Sequence, residues 1–322
     1  MTERRTQWDP EIVERVYFSL LLIRRTEEEI ARIYPSDKIK SPVHLSIGQE
    51  SVSVGVCDCL REDDIVSATY RGHAAYLAKG GDLKGMMAEL YGKATGVAKG
   101  KAGSMHLVDM SANVLGMSAV VGTTIPIAVG YAMALKREGK GRVAVCFLGD
   151  GATEEGVFAE SVNFAALHGL PVLLVCENNA YAIHSPLSHR WATDRLCERV
   201  ATYGIQAHCI KDADPFAIRD VASEALESMR GGGGPVFMEC LTYRWREHVG
   251  PNEDYDAGYR SRDELAPWQE NDHLERLAGM VDPARRAAIE EDVAAAIAEA
   301  VQFAEDSPWP EMEELYDGVY AE

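Results

Sequence analysis

The chain has no long hydrophobic run and no concentration of positive charge. Its longest early apolar stretch, Phe18 to Ile23, is short and flanked by charged residues, so the sequence predicts neither a signal peptide nor a membrane-spanning helix. The 322 residues include 32 Lys and Arg against 51 Asp and Glu, a net charge of −19. Because phosphate backbones and anionic lipid surfaces repel such a chain, we expect it to bind neither nucleic acid nor membranes.

Paired cysteines at the spacing of a structural zinc site are also missing. The seven cysteines include one close pair, Cys57 and Cys59, and no second pair completes a ligand set along the sequence. Several of the other cysteines lie in apolar runs, where cysteine serves as a small core side chain. In the absence of a signal peptide we expect reduced thiols and a cytoplasmic location.

The most informative stretch lies near the middle of the chain. Val143 to Leu148 is a short apolar run that predicts a buried parallel strand, and Val172 to Cys176 predicts a second one. Between them, Thr153 to Leu167 has the apolar spacing of a helix, which a Gly-Leu-Pro sequence ends. Strand, helix and strand in this order predict an open α/β sheet, whose ligands bind beyond the carboxyl ends of the strands.

Polar residues follow both predicted strands at that edge of the sheet. Asp150 offers a carboxylate after the first strand, and Asn178 or Asn179 offers a carbonyl oxygen after the second. Oxygen ligands of this kind suit Mg²⁺, which completes its shell with waters and phosphates. Gly149 and Gly151 let backbone N–H groups approach a phosphate at the start of the helix. The alternative, a plain turn with an aspartate cap, is disfavoured by the Glu-Asn-Asn sequence after the second strand.

These residues also carry a family resemblance. Gly-Asp-Gly followed about thirty residues later by Asn-Asn is similar to the thiamine diphosphate motif of transketolases, decarboxylases and 2-oxo acid dehydrogenases. The longer sequences FLGDGATEEGVFAESVNFA and LPVLLVCENNAYAI resemble one branch, the alpha subunit of the two-chain first component of 2-oxo acid dehydrogenase complexes of the pyruvate, branched-chain and acetoin types. The similarity covers roughly residues 10 to 320.

The resemblance implies which residues bind the cofactor and its metal. Asp150 and Asn179, 29 residues apart, match the side-chain ligands of Mg²⁺, and the backbone carbonyl of Tyr181 matches a further ligand. Gly151 and Ala152 match residues that contact the diphosphate. Thiamine diphosphate and Mg²⁺ are therefore the expected cofactors.

Two further segments match the family's cofactor contacts. In the sequence Tyr-Arg-Gly-His, Tyr70 and Arg71 match residues on the phosphate, and His73 matches a histidine that faces the reaction centre. Val121 matches a residue whose backbone lies against the aminopyrimidine ring. Ala119 replaces a common glycine close to that position.

Two loops are expected to carry the other catalytic candidates, His106 and His248. The loop from Gly92 to His106 resembles a family loop, and it either lines the active-site entrance or forms a mobile surface connection. His248 matches a histidine on a family loop that orders when cofactor binds. There Glu247 replaces a glycine and Val249 replaces a phosphorylatable serine, so phosphorylation control at this position is not expected.

Three other segments carry expectations about the fold. Residues 117–134 form a small-residue apolar run that favours close helix packing, and residues 190–203 predict a helix. Aromatic residues in the acidic tail, 307–322, suggest docking on another chain or on the parent domain. We expect one thiamine diphosphate-binding domain over residues 1–322, an open and mostly parallel sheet with helices on both faces. A helix at about 9–34 and a helix plus tail at about 283–322 would extend it.

The expected activity follows from the resemblance. The chain would be the alpha subunit of an enzyme that decarboxylates a small 2-oxo acid and passes the acyl group to a lipoyl-bearing acyltransferase. We find no candidate for the glutamate that protonates the aminopyrimidine ring, and in the family it comes from a beta subunit, in an α2β2 heterotetramer. Two alternatives are a two-chain carboligase or transketolase-like enzyme with an aldehyde or sugar acceptor, and a non-catalytic interaction protein on the same fold.

Overall fold

The computed structural model describes residues 8–317, and a parallel sheet forms the centre of the molecule. The strands are β1 Ile65–Thr69, β2 Val114–Ser118, β3 Ala144–Gly149, β4 Val172–Asn178, β5 Tyr181–Ala182, β6 Ser185–Pro186, β7 Gln206–Ile210 and β8 Val236–Leu241. Six of them form one parallel sheet in the order β2-β1-β3-β4-β8-β7, and β5 pairs with β6 in a small antiparallel hairpin. The predicted fold class is confirmed.

Helices cover the sheet. They are α1 Pro10–Ile33, α2 Glu50–Cys57, α3 His73–Ala78, α4 Leu83–Leu90, α5 Thr124–Glu138, α6 Gly156–His168, α7 Leu187–Arg190, α8 Leu196–Ala201, α9 Pro215–Arg230, α10 Arg262–Glu270, α11 His273–Ala278 and α12 Pro283–Asp306. The starts of α1, α9 and α12 share one local cause, an aspartate cap before a proline. The aspartate side chain accepts backbone N–H bonds, and proline at the first position gives up no helical hydrogen bond.

Both faces of the sheet are buried, as its apolar strands predict. Along β3, Val145 and Phe147 join one hydrophobic core, whereas Cys146 and Leu148 join the core on the other face. Because a strand that is apolar on both sides is not stable in contact with water, helices must cover both faces of the sheet. Between residues 8 and 317 no helix is both long and apolar enough to cross a membrane.

Two segments differ from the sequence-based expectation. The run at 117–134 does not begin in a helix: β2 ends at Ser118, and α5 begins only at Thr124, after a turn in which Gly122 has φ +79°. The predicted helix at 190–203 is wrong, because α7 and α8 are short and separated. The backbone of Trp191 is extended there, and its indole N–H donates to Glu154.

The chain ends bear on two other expectations. Residues 1–7 and 318–322 lie outside the described residues, so the expected docking of Val319 and Tyr320 does too. The described part of the tail lies on its own chain: Lys93 Nζ donates to the Ser307 carbonyl at 3.0 Å and stacks over the ring of Trp309. The division into one domain with two extensions stays a prediction.

Candidate cofactor site

A cavity of about 270 Å³ lies beyond the carboxyl ends of the central strands. The turn after β3 and the segment after β4 contribute to its wall, as expected for an open parallel sheet. Apart from Asn178, the alternative to Asn179, every residue predicted from the sequence to bind cofactor or metal lines it. These residues are Tyr70, Arg71, Val121, Gly149, Asp150, Gly151, Ala152, Asn179, Tyr181 and His248.

The alternation of side chains at the end of β4 separates the two asparagines. Glu177 and Asn179 line the cavity, whereas Asn178 turns away and donates its side-chain N–H to Glu239 Oε1 at 2.8 Å. Asn179 Oδ1 accepts the backbone N–H of Tyr181 at 3.1 Å. Of the two alternatives that the sequence left open, Asn179 is therefore the one in position to bind a ligand in this cavity.

The turn that follows β4 is held in an unusual backbone conformation. Ala180 has φ +67°, in the left-handed region that residues with a Cβ seldom adopt. Its carbonyl accepts the N–H of Leu187 at 2.8 Å, which closes the β5–β6 hairpin back onto the strand end. Such strain persists only where surrounding contacts enforce it, and here it keeps Asn179 and Tyr181 together at the cavity wall.

Asp150 is 1% exposed and forms an ion pair with Arg190 Nη2. Burial raises the pKa of the Asp150 carboxyl, and the Arg190 guanidinium opposes that rise. Arg190 also pairs with Glu154, another cavity residue. Arg190 was not identifiable from the sequence, because its segment has the pattern of a helix and its partner Asp150 lies 40 residues away along the chain.

Glu177 is the second functional candidate that sequence reasoning overlooked. Its side chain lines the cavity, and its carboxylate has no hydrogen-bond partner between residues 8 and 317. Burial raises the pKa of Glu177 to about 8, against the effect of the nearby Arg71. The position of Glu177 in the Glu-Asn-Asn sequence, with period-two alternation, was the signal that could have identified it.

Arg71 links the cavity to the loop that carries His248. Its Nη1 donates to the Leu45 carbonyl at 2.6 Å and its Nη2 to the His248 carbonyl at 3.0 Å. Nη2 also lies 3.4 Å from His248 Nδ1. Since a guanidinium can only donate, Nδ1 must accept, and the ring proton is therefore on Nε2. Burial, then Arg71 and Arg244, lower the pKa of His248 to about 3, so the imidazole is neutral at pH 7.

The loop that carries His248 is stabilised by its own side chains. Asp254 accepts from Arg260 Nε at 2.7 Å and from Arg244 Nη1 at 3.4 Å. Glu247, the residue that departs from the family pattern, accepts the backbone N–H of Asn252 at 2.8 Å and so closes the turn around His248. The substitution seen in the sequence therefore has a structural consequence within this loop.

His73 and His106 do not line the cavity. His73 is 0% exposed, with Nε2 2.7 Å from Ser104 Oγ and Nδ1 3.2 Å from Glu27 Oε1. His106 is exposed, and its Nδ1 lies 3.3 Å from the Met117 carbonyl. Both ring nitrogens of His73 already have partners, which favours a positioning role. Catalytic roles for these two histidines stay predictions.

The loop from Gly92 to His106 is organised by one buried carboxylate. Glu89 accepts four backbone N–H groups, all at 2.7–3.0 Å: those of Ala98, Gly100, Ala102 and Gly103. None of the loop residues lines the cavity. Neither alternative predicted for this loop, the active-site entrance or a mobile connection, included the Glu89 carboxylate at its centre.

The residues at the strand ends fit a cofactor that carries a diphosphate together with a divalent cation. An ideal Cβ built on Gly149 meets no atom within 4 Å, so any other residue there would project a side chain into the cavity. At Gly151 a Cβ would lie 3.0 Å from the Cβ of Ala182, which already makes this turn tight. Carboxylate and amide oxygens of Asp150 and Asn179 are ligands suited to Mg²⁺.

Comparison with known proteins identifies the family of the chain. The family model described as Dehydrogenase E1 component matches residues 19–313. The alpha subunit of acetoin:2,6-dichlorophenolindophenol oxidoreductase from Bacillus subtilis (strain 168) is 38% identical over 99% of this chain and 95% of its own length. The alpha subunit of the pyruvate dehydrogenase E1 component from Rhizobium meliloti (strain 1021) is 36% identical over 95% of this chain and 89% of its own. The chain belongs to the dehydrogenase E1 component family, whose members depend on thiamine diphosphate, and it is similar to the family's alpha subunits over nearly its whole length.

Proposed function

We propose that this chain is the alpha subunit of a thiamine diphosphate-dependent 2-oxo acid dehydrogenase, which decarboxylates a small 2-oxo acid and transfers the acyl group to a lipoyl-bearing acyltransferase. One observation carries the proposal: Asp150 and Asn179, from the ends of two adjacent parallel strands, line the same cavity as Arg71 and His248. The full-length similarity to alpha subunits supports it further.

The residues at the strand ends would hold the cofactor. Asp150, Asn179 and the carbonyl of Tyr181 would bind Mg²⁺, and the backbone of Gly151 and Ala152 would bind the diphosphate. When bound, thiamine diphosphate supplies a carbanion nucleophile and then an electron sink. The protein must hold it in place, exclude water and stabilise developing charge.

The other cavity residues would act on the substrate side and on the phosphate. Tyr70 and Arg71 would orient the diphosphate, since guanidinium and phosphate oxygens meet in pairs. The backbone at Val121 would meet the aminopyrimidine ring. His248, neutral with its proton on Nε2, can donate that proton as a hydrogen bond to an oxygen of the substrate without bringing a cation into the cavity.

A beta subunit would complete the site. Apolar side chains are exposed at the cavity mouth and beside it: Val120, Val121, Ile183 and Val249. Exposed apolar residues around a functional cavity are typical of a protein interface. We propose that the beta chain covers this surface in an α2β2 heterotetramer and contributes the ring-protonating glutamate. The acyltransferase partner and the cytoplasmic location stay predictions.

Reconstitution with the beta subunit would test the function. We expect Mg²⁺-dependent binding of thiamine diphosphate by calorimetry, followed by acyl transfer to a lipoyl domain from pyruvate, from a branched 2-oxo acid or from acetoin. Aldehyde ligation without transfer to the lipoyl domain would instead favour the carboligase alternative.

Two substitutions separate binding from turnover. Asp150→Ala should abolish Mg²⁺-dependent cofactor binding, because Asp150 is the one anionic side chain among the proposed protein ligands of the cation. His248→Ala should lower turnover more than cofactor affinity. Unchanged turnover in the His248 variant would contradict its placement near the reacting atoms, even if cofactor binding were normal.

A further inference from the structure

Two cysteines and a glutamate converge on the side of the sheet edge to which Asn178 points. Cys197 lies in the first turn of α8, Cys209 in β7 and Glu239 in β8. One ligand atom from each lies within 4.8 Å of the others. Cys209 and Glu239 are paired in register on adjacent parallel strands, so their side chains share one face, and α8 brings Cys197 over them.

We propose that Cys197, Cys209 and Glu239 bind one zinc ion, with the fourth position open to the adjoining cavity of about 650 Å³. A tetrahedral zinc ion holds a thiolate at about 2.3 Å and a carboxylate oxygen at about 2.0 Å, which places those two atoms about 3.5 Å apart. Cys197 Sγ lies 3.3 Å from Glu239 Oε2. Two soft thiolates select zinc over Mg²⁺, which prefers a shell made of oxygen.

The surroundings of Glu239 give an independent reason for a cation. The side chain is 3% exposed, and within residues 8–317 its hydrogen-bond partners are the Asn178 amide and the thiols of Cys197 and Cys209, none of which carries a positive charge. Lys211 lines the same cavity, but within residues 8–317 no lysine or arginine forms an ion pair with Glu239. A buried carboxylate is stabilised by pairing with a cation or by binding a metal.

The ligands are also oriented by their neighbours. Asn178 Nδ2 donates to Glu239 Oε1 at 2.8 Å, which leaves Oε2 as the oxygen that faces Cys197. Outer contacts of this kind fix the ligands of metal sites in structures generally. None of the three ligands lines the cofactor cavity, so the zinc site does not depend on the proposed function.

Zinc titration of the complex of this chain with its beta subunit tests the proposal. The complex is treated with a chelator, exchanged into buffer with a reductant and excess Mg²⁺, and titrated with Zn²⁺ alone. We expect one more zinc per copy of this chain in the wild type than in Cys197→Ser or Cys209→Ser, whose affinity should fall about 100-fold or more. With Co²⁺ in place of Zn²⁺, a thiolate-to-cobalt absorption band should appear in the wild type and should be lost in Cys197→Ser and in Cys209→Ser.

A matched control uses another cysteine of the chain. Cys59→Ser should keep the full zinc content, because the Cys59 thiol contacts the carbonyls of Gly55 and Arg219 and lies outside the cluster. Thermal unfolding without zinc checks that each variant folds, and added zinc should raise the midpoint of the wild type and of Cys59→Ser but not of the cluster variants.

Three results would overturn the proposal. Equal zinc content in wild type and both cluster variants would place any zinc elsewhere. A wild-type complex that binds no zinc, with Cys197 and Cys209 joined in a disulfide despite the reductant, would make the pair a redox site instead. Unchanged zinc affinity in Glu239→Gln, which keeps an acceptor for Asn178 and removes the charge, would exclude the carboxylate as a ligand.

Discussion

Removal of Arg190 should strengthen the binding of Mg²⁺ at the proposed cofactor site. In the structure its guanidinium forms an ion pair with Asp150, the carboxylate assigned to the metal. The Arg190 side chain is 9% exposed and the Asp150 side chain 1%, so the pair is almost dry. A cation that binds Asp150 in the wild type therefore replaces one positive charge by another. In Arg190→Ala it would neutralise a buried carboxylate that has lost its partner.

The size of the effect follows from the energetics of buried ion pairs. Loss of one partner destabilises such a pair by about 3–5 kcal/mol, most of it from the charge left behind. When a metal binds Asp150 in the wild type, Arg190 still forms an ion pair with Glu154. This second pair offsets part of the free energy lost when the Arg190–Asp150 pair breaks. We therefore expect a net gain of about 2 kcal/mol in metal binding, or about 30-fold in apparent affinity.

Calorimetric titration of Mg²⁺ at fixed thiamine diphosphate, on the complex with the beta subunit, measures this gain. Arg195→Ala is the control, since Arg195 lies in the same segment but is 65% exposed and pairs with Glu198. The gain should shrink as the pH falls, because without Arg190 the burial of Asp150 raises its pKa further and protons compete with the metal. A weaker, not stronger, binding of cofactor by Arg190→Ala would refute the reasoning and make Arg190 a ligand of the diphosphate.

Three further predictions concern other buried charges. In thermal unfolding, Glu177→Gln should be close to the wild type in stability near pH 5 and more stable than it by about 3–4 kcal/mol near pH 8. Between pH 4.5 and the folded-state pKa of about 8, the Glu177 carboxyl ionises in the unfolded chain but stays protonated in the folded one, so the wild type loses stability as pH rises. A difference that does not depend on pH would contradict this. Glu89→Ala should destabilise the chain by about 3 kcal/mol in denaturant unfolding and speed hydrogen exchange at Gly100 and Gly103, since four backbone N–H groups lose their acceptor. The His248 imidazole should stay neutral from pH 5 to 8 in nitrogen NMR, with its proton on Nε2. A titration within that range would contradict the lowered pKa, and a neutral ring with its proton on Nδ1 would contradict the assigned tautomer.

The parts of the fold that were predictable are those in which one local pattern decides the structure. The Asp9-Pro10 sequence fixes the start of α1, and the apolar runs that became β3 and β4 had to be buried on both faces. Because parallel strands end at one edge of a sheet, the residues that follow them could be placed together from the sequence. β2 was missed because Gly116, with φ +143°, interrupts its pattern, and its pairing with β1 is irregular there.

The parts of the site that were not predictable depend on contacts between distant segments. Arg190 pairs with Asp150, which lies 40 residues away along the chain. Glu89 accepts backbone N–H groups from a loop whose sequence by itself indicates only a flexible connection. Likewise Cys197, Cys209 and Glu239 have no recognisable spacing along the chain, yet strand register and helix packing bring them together. Sequence patterns depend on residues that are close along the chain, so they do not identify side-chain partners from distant segments.

The end of β4 shows how one strand can serve two sites with different chemistry. Successive side chains of a strand point to opposite faces, so Glu177 and Asn179 meet the cofactor cavity, whereas Asn178 orients the carboxylate of Glu239 on the other side. The metal ligands proposed on the cofactor side are all oxygens, whereas those proposed on the other side include two thiolates, so the two sites should select different metals. A shift of β4 by one residue against its neighbours would exchange these faces and destroy both sites, which ties the chemistry of each to the register that the buried strands impose.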